Sequence, residues 1–87
     1  MLSKRIEIRN SVGLHARPAA QLAERARRFE SDIWVCYRDR SVDAKSVVRL
    51  LSLGINAGEI VELVVYGKDE TAAFEDMKAI FDEVNRQ

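Results

Sequence analysis

The order in which two apolar periodicities alternate constrains this fold more than any other feature of the sequence. Some segments place apolar residues at every second position, as in a half-buried strand. Others place them every three or four positions, as on one face of a helix. The order is βαββαβα, with strands predicted around residues 6–8 and at 33–37, 41–43 and 60–66, and helices predicted from residue 16, at 47–53 and from residue 70. The second and third strands should form a hairpin. The residues expected to mark the element ends are the break at 10–13, the end of the first helix's stripe at Phe29, the hairpin turn at 38–40, Gly54 after the second helix and Asp69 as the cap of the third.

This order predicts an α+β open-faced sandwich, in which a four-stranded antiparallel sheet carries three helices on one face. Each helix has a single apolar stripe, and most strands alternate apolar and polar residues. One buried layer between the sheet and the helices therefore covers the apolar side of every element. The length suits one domain over residues 1–87. No apolar run approaches the roughly 20 residues that a membrane helix needs, and we expect a cytoplasmic protein without membrane insertion.

The cysteine content excludes some kinds of covalent and metal site. Cys36 is the only cysteine, which rules out an internal disulfide and disfavours a cysteine metal cluster; we expect it to be buried on a strand.

Charge is unevenly placed along the sequence: residues 1–50 carry 11 Lys or Arg and 6 Asp or Glu, and residues 51–87 carry 3 and 8. This separation suits docking to an acidic protein surface, although two solvated faces would also produce it.

The only histidine, His15, directly precedes the first predicted helix. Gly13 permits a tight approach of the backbone, and Pro18 fits the first helical turn, where its missing N–H costs nothing. A helix N-terminus offers unpaired backbone N–H groups and partial positive charge, which together bind anions. Pro18 has no N–H, so Ala16 and Arg17 are the predicted backbone donors to a phosphate.

A neutral imidazole has one ring nitrogen with a free lone pair, and we expect this nitrogen of His15 to attack phosphorus. Arg17 offers a planar fork of donors to phosphoryl oxygens. Two other roles for His15 stay open, a surface or capping histidine and a metal ligand. The second lacks partners because there is no other histidine, and we predict no metal site.

Three segments resemble a known family. Residues 12–20 read Val-Gly-Leu-His-Ala-Arg-Pro-Ala-Ala, residues 44–46 read Ala-Lys-Ser, and residues 52–55 read Ser-Leu-Gly-Ile. They are similar to the HPr family, the histidine-containing phosphocarriers of the bacterial phosphoenolpyruvate-dependent sugar phosphotransferase system. The resemblance runs the length of the chain and implies the same βαββαβα open sandwich.

The resemblance also implies a cycle of transfer. Phosphorylated enzyme I would pass its phosphoryl group to Nδ1 of His15, and His15 would donate it to the IIA domain of a sugar permease. Arg17 would stabilise the phosphate. The resemblance therefore implies a carrier and not an enzyme, without a cofactor, which we expect to act as a monomer.

The predicted second helix carries the other candidate residues. Ser46 suits its N-cap and matches the family's regulatory phosphorylation site, which would need a serine kinase or phosphorylase as a further partner. Val47, Val48 and Leu51 are either core residues or part of a contact patch for protein partners. Arg49 stands where many family members have glycine and adds charge beside that patch.

Three functions remain open from the sequence. The first is the sugar-system carrier, and the second is a regulatory, nitrogen-branch carrier that uses the same histidine chemistry with other partners. The third is an α+β binding module for nucleic acid or a small ligand. No aromatic-rich RNA-binding pattern is present, so we expect no nucleic-acid partner.

Overall fold

The computed structural model describes residues 1–87 and contains seven elements in the predicted order. None of its helices has the length and apolar character needed to cross a membrane. The elements are β1 (Leu2–Glu7), α1 (Ala16–Ala26), β2 (Asp32–Tyr37), β3 (Arg40–Asp43), α2 (Val47–Ser52), β4 (Ile60–Tyr66) and α3 (Glu70–Asn85).

The four strands form one antiparallel sheet in the order β1-β4-β2-β3. The predicted hairpin joins β2 to β3, where Tyr37 pairs with Arg40 across a two-residue turn. Arg38 in that turn has a φ of 56°, a left-handed conformation that residues other than glycine adopt infrequently. The central strands β4 and β2 lie side by side, and β1 and β3 form the two edges.

Alternation along the central strands separates a buried face from an open one. Ile33 and Val35 of β2 face the helices together with Leu63 of β4, and all three are buried. Trp34 and Glu62 lie on the opposite face and are exposed. Because the helices pack only on the first face, the predicted four-stranded open-faced sandwich is confirmed.

Helix α1 buries the predicted stripe. Its buried residues include Leu22, Ala23 and Ala26, which lie three or four positions apart and face the same core as α3. The helix ends at Ala26, so Phe29, which we placed on its stripe, lies beyond it and packs against the core from the following turn.

Two details differ from the sequence prediction. Helix α2 ends at Ser52, one residue early, because Leu53 is already its C-cap; Gly54 follows with the predicted left-handed φ of 63°. Cys36 is half-buried, not buried, because it lies on the open face of β2, where its sulfur accepts a hydrogen bond from the Ser41 hydroxyl of β3.

The start of α3 also differs. Asp69 occupies the N-cap position as predicted, but its side chain makes no capping hydrogen bond. Its carboxylate instead accepts hydrogen bonds from the backbone N–H groups of Glu30 and Ser31, at 3.0 and 2.9 Å. Glu70 accepts the N–H of Gly67 at 3.1 Å. The carboxylate at the cap position therefore joins α3 to the connection between α1 and β2.

Candidate functional site

His15 is the N-cap residue of α1. Its backbone is extended, with φ −98° and ψ −170°, and its carbonyl accepts the first helical hydrogen bond from Ala19 at 3.0 Å. The imidazole is half-buried and makes no capping hydrogen bond, so the helix does not occupy either ring nitrogen. The prediction that the histidine stands at the helix start is confirmed.

Two backbone donors beside His15 are free. The N–H of His15 is used by the carbonyl of Gly13 at 3.1 Å, Ala19 donates to His15, and Pro18 has no N–H. Ala16 and Arg17 occupy the first two helical positions, where a backbone N–H has no partner within the helix, and no other group of the chain accepts from them. No acidic residue lies in the first turn, so both amides are available to an anion.

Arg17 adds an uncommitted charge to this helix end. The residue is exposed, and its guanidinium takes part in none of the ion pairs or side-chain hydrogen bonds of the chain. An arginine held by an internal carboxylate would have to break that pair before binding phosphate. Arg17 has no such pair, so its donor fork is available to an incoming anion.

The loop before His15 is fixed by buried polar contacts. Asn10 is 3% exposed, and its Oδ1 accepts the N–H of Gly13 at 2.7 Å, while its Nδ2 donates to the carbonyl of Val84 at 3.5 Å. Leu14 donates its N–H to the carbonyl of Ile55 at 3.0 Å. The loop is thus held against both the end of α3 and the segment that follows α2.

Gly13 lies too close to that segment to carry a side chain. Its φ is 84°, and a Cβ built on it would lie 2.5 Å from the carbonyl oxygen of Ile55 and 2.9 Å from the Cα of Asn56. Both contacts are with backbone atoms, which cannot rotate away as a flexible side chain would. Glycine here serves both the left-handed backbone and the close approach that brings His15 beside the end of α2.

Ser46 is the N-cap of α2, and the structure confirms this predicted role. Its Oγ accepts the N–H of Arg49 at 3.2 Å, with the residue in extended conformation. The side chain is half-buried. It lines a shallow surface depression whose other residues come from β2, β3 and α2: Trp34, Ser41, Val42, Asp43 and Arg49.

The apolar residues of α2 divide between core and surface. Leu50 is fully buried and Val47 packs against the core, whereas Val48 is 76% exposed and Leu51 is 39% exposed. Arg49 is exposed between them. A helix of six residues therefore presents two apolar side chains and a cation to solvent, which is the composition of a contact patch. Of the four predicted docking residues, Val47 contributes least to this surface.

Basic residues lie where α1 meets α2. Arg27 donates to the carbonyl of Lys45 at 2.9 Å, and Lys45 donates to the carbonyl of Phe29 at 2.8 Å, so the two cations bind the backbone and keep their charge uncompensated. Arg17 and Arg49 lie on the same two helices. These four cations on or beside α1 and α2 make up part of the positive surplus in the first half of the sequence.

Sequence reasoning missed two residues that support this site. Asn10 was interpreted only as part of a strand break, although an Asn three residues before a Gly is a known turn signal. Arg40 was interpreted only as a turn residue. Its guanidinium donates to the carbonyl and hydroxyl oxygens of Ser52, at 2.7 and 3.0 Å, and so binds the last residue of α2.

No group of three or more His, Cys, Asp or Glu side chains is placed to hold a metal ion. The unpaired polar groups of the residues that follow His15 are instead donors: the backbone amides of Ala16 and Arg17 and the Arg17 guanidinium. Donors of this kind are chemically suited to an oxyanion such as phosphate.

Comparison with known proteins agrees with this geometry. Residues 2–83 match the family model described as PTS HPr component phosphorylation site. The phosphocarrier protein HPr of Neisseria meningitidis is 39% identical over 85 residues, which cover 98% of this chain and 92% of that protein. The HPr-like protein Crh of Bacillus subtilis is 39% identical over 83 residues, covering 95% and 98%.

Solved structures of the same family also match this chain. The crystal structure of HPr-C-His from Thermoanaerobacter tengcongensis matches with a TM-score of 0.92 at 38% identity, covering 100% of this chain and 98% of that one. The crystal structure of Crh from Bacillus subtilis, described as a domain-swapped dimer, matches with a TM-score of 0.76 at 38% identity and 97% coverage of both chains. The chain belongs to the HPr family of phosphocarrier proteins of the phosphotransferase system, which are carriers and not catalysts.

Proposed function

We propose that this chain carries a phosphoryl group on His15, accepting it from phosphorylated enzyme I and donating it to IIA domains of sugar permeases. The observation that carries the proposal is the combination at the start of α1. An imidazole free of internal hydrogen bonds is followed by the two free backbone amides of Ala16 and Arg17, and Arg17 also carries an unpaired guanidinium on the first turn of the same helix.

The transfer step follows from those groups. A nitrogen lone pair of His15, assigned to Nδ1 by family resemblance, attacks phosphorus. The new N–P bond forms as the bond from phosphorus to the donor atom breaks, and the donor keeps that electron pair. Charge builds on the phosphoryl oxygens during this exchange, and the amides of Ala16 and Arg17 with the Arg17 guanidinium would stabilise it. Onward transfer reverses the roles: an acceptor atom of the next protein attacks phosphorus, the N–P bond breaks, and its electron pair returns to the His15 nitrogen.

Partner docking is assigned to the face formed by α1 and α2. Val48 and Leu51 supply exposed apolar area, while Arg17 and Arg49 supply positive charge. A partner with an acidic rim around an apolar centre would complement this face, and charge of opposite sign speeds encounter. Phosphorylation of Ser46 by a serine kinase would place negative charge at the start of α2, in the same depression as Arg49, and a phosphorylase would remove it.

We further propose that the exchange takes place in the cytoplasm and that the chain acts as a monomer. Dimers are described for Crh of Bacillus subtilis and for HPr of Thermoanaerobacter tengcongensis. Sedimentation at the concentrations used for transfer assays decides this: a single species of 9.9 kDa supports the monomer, and a species of twice that mass contradicts it.

A regulatory carrier is the second candidate function. It is favoured by the similarity to Crh, which is described as a catabolite-repression HPr. The nitrogen-branch carrier is the related alternative, with the same chemistry at His15. The partners distinguish these functions: rapid transfer from His15 to the IIA domain of a sugar permease supports the sugar carrier, and transfer only to a regulatory IIA-type protein supports the alternative.

The main test uses purified enzyme I, labelled phosphoenolpyruvate and three forms of this chain: wild type, His15→Ala and the control Arg28→Ala. Wild type should gain one acid-labile phosphate, and the folded variant should gain none. Arg28→Ala is the matched control, because Arg28 is an exposed cation of the same helical region that pairs with Glu24. Acid-labile label on the His15→Ala chain would contradict the proposal.

A further inference from the structure

We propose that Asn10 is a positioning residue for phosphoryl transfer, which it supports by fixing the backbone that presents His15. This inference rests on the proposed function of His15. Asn10 itself lies five residues away along the chain and would touch neither phosphate nor partner, since it is almost completely buried, with 3% of its surface exposed.

The side chain of Asn10 uses both ends of its amide. Oδ1 accepts the N–H of Gly13 at 2.7 Å, and Nδ2 donates to the carbonyl of Val84 in the last turn of α3 at 3.5 Å. Only one other polar or charged side chain of the protein, that of Ser31, is equally buried. A buried amide satisfied in this way holds its surroundings firmly, because breaking either bond leaves a polar group unpaired.

The contact reaches His15 through one residue. Gly13 receives the Asn10 bond on its N–H and accepts the His15 N–H on its carbonyl at 3.1 Å. As a glycine, it has no side chain that could fix its left-handed backbone. The orientation of the Gly13 peptide groups is therefore set by Asn10 on one side and transmitted to the His15 backbone on the other.

Movement at this point changes the geometry of the reaction. His15 is the N-cap, so rotation of the chain at residues 13–15 tilts the imidazole relative to the fixed amides of Ala16 and Arg17. A displacement of about 1 Å between a reacting group and its stabilising donors can slow a reaction roughly 100-fold. Loss of the Asn10 bond should thus reduce transfer by more than the loss of stability explains.

Asn85 provides a matched control. Its Oδ1 accepts the N–H of Arg9 at 2.8 Å and its Nδ2 donates to the carbonyl of Glu7 at 2.9 Å. It ties the neighbouring segment to the same end of α3 with the same side-chain type. It makes no hydrogen bond to Gly13, so its removal should cost stability without tilting His15.

The experiment compares wild type with Asn10→Ala, Asn10→Asp and Asn85→Ala. Urea unfolding measures stability, and two assays measure positioning: the rate of transfer from phosphorylated enzyme I, and the half-life of phosphohistidine after loading with phosphoramidate, a chemical donor. We expect Asn10→Ala to transfer at least about 10-fold more slowly than Asn85→Ala. Asn10→Asp, which keeps the acceptor for the Gly13 N–H, should recover most of the rate.

Equal transfer rates for Asn10→Ala and Asn85→Ala would overturn the inference. Where Asn10→Ala does not fold, Asn10→Ser takes its place, because a serine hydroxyl makes the same kind of turn contact more weakly. Failure of the proposed function looks different: wild type would take no phosphate from enzyme I although phosphoramidate loads His15. In that case the phosphohistidine half-lives still test the role of Asn10. A shorter half-life in Asn10→Ala than in Asn85→Ala supports the positioning role, and equal half-lives contradict it.

Discussion

Asp69, at the start of α3, holds Ser31, which lies 38 residues earlier in the connection between α1 and β2. Its carboxylate accepts the backbone N–H of Ser31 at 2.9 Å and also accepts the Ser31 hydroxyl. The hydroxyl bond contributes most, followed by the N–H of Glu30, and together these donors lower the pKa of Asp69 from 3.8 to about 2. The contact joins two helices and a strand at one end of the molecule.

This pair predicts a loss of stability in acid. A carboxyl whose pKa is lower in the folded chain than in the unfolded chain stabilises the fold above the unfolded value, and that stability disappears as pH falls through the folded value. For Asp69 the interval runs from about pH 4 down to about pH 2. Glu70, whose pKa is lowered by the Gly67 N–H and by the terminal ammonium, adds to the effect in the same direction.

The measurement is the melting temperature of wild type and Asp69→Asn between pH 2 and pH 7. Asparagine keeps the shape but cannot carry the charge, so the variant should melt lower than wild type at pH 7. The two should converge as pH approaches 2. A constant difference across the whole range would show that Asp69 acts by packing and not by its charge.

Gly13→Ala should destabilise the protein more than Gly58→Ala. Both glycines have left-handed backbones, with φ of 84° and 90°, and alanine at such a position costs about 1–2 kcal/mol. At Gly58 the added Cβ meets open space, whereas at Gly13 it collides with the Ile55 carbonyl oxygen. We expect a further loss of about 1–3 kcal/mol at Gly13 in urea unfolding. Equal losses would mean that the loop moves aside without cost.

Arg17→Ala should impair transfer and leave stability nearly unchanged. The side chain is exposed and makes no internal contact that its loss would break. Hydrogen bonds to charged groups contribute about 1.5–3 kcal/mol, so transfer from enzyme I should slow by roughly 10- to 100-fold. Arg17→Lys, which keeps the charge without the planar fork, should transfer at a rate between those of wild type and Arg17→Ala. A wild-type rate in Arg17→Ala would remove this residue from the site.

A negative charge at Ser46 should weaken docking of enzyme I without unfolding the chain. Aspartate replaces serine well as an N-cap, so Ser46→Asp should keep α2, whereas Ser46→Ala should lose about 1 kcal/mol. The charge would share a surface depression with the exposed Arg49 of the proposed contact face, where it repels an acidic partner.

Phosphotransfer to both Ser46 variants at low and high salt is the test, with circular dichroism to check folding. The difference between Ser46→Asp and Ser46→Ala should shrink as salt rises, because screening weakens exposed charges. If the folded aspartate variant accepts phosphate as fast as the alanine variant at low salt, Ser46 is only a cap.

The sequence predicted the fold well because local signals and burial agree. Apolar runs predicted strands at 33–37 and 60–66, which the structure contains as β2 and β4, and Pro18 and Gly54 marked where one helix begins and another has ended. His15 was predicted at the start of a helix from nearest-neighbour signals alone, and the structure places it at the N-cap.

Contacts between distant residues were not predictable. Nothing local shows that Asp69 prefers Ser31 to its own helix, because that choice depends on the packing of α1 beside α3. The partner of Asn10 in α3, the carbonyl of Val84, is 74 residues away, and backbone carbonyls carry no sequence signature. The proximity of Gly13 to Ile55 likewise exists only after the chain has folded.

The shallow depression beside Ser46 contains the protein's only tryptophan, Trp34, which is 39% exposed and shares the surface with Arg49. Indole emission responds to the polarity and the charges around it. Modification of Ser46, or a partner seated on α2, would alter that environment and so change the intrinsic fluorescence of the protein. Binding could then be followed in real time on the unlabelled chain, with an optical signal that originates beside the surface being tested.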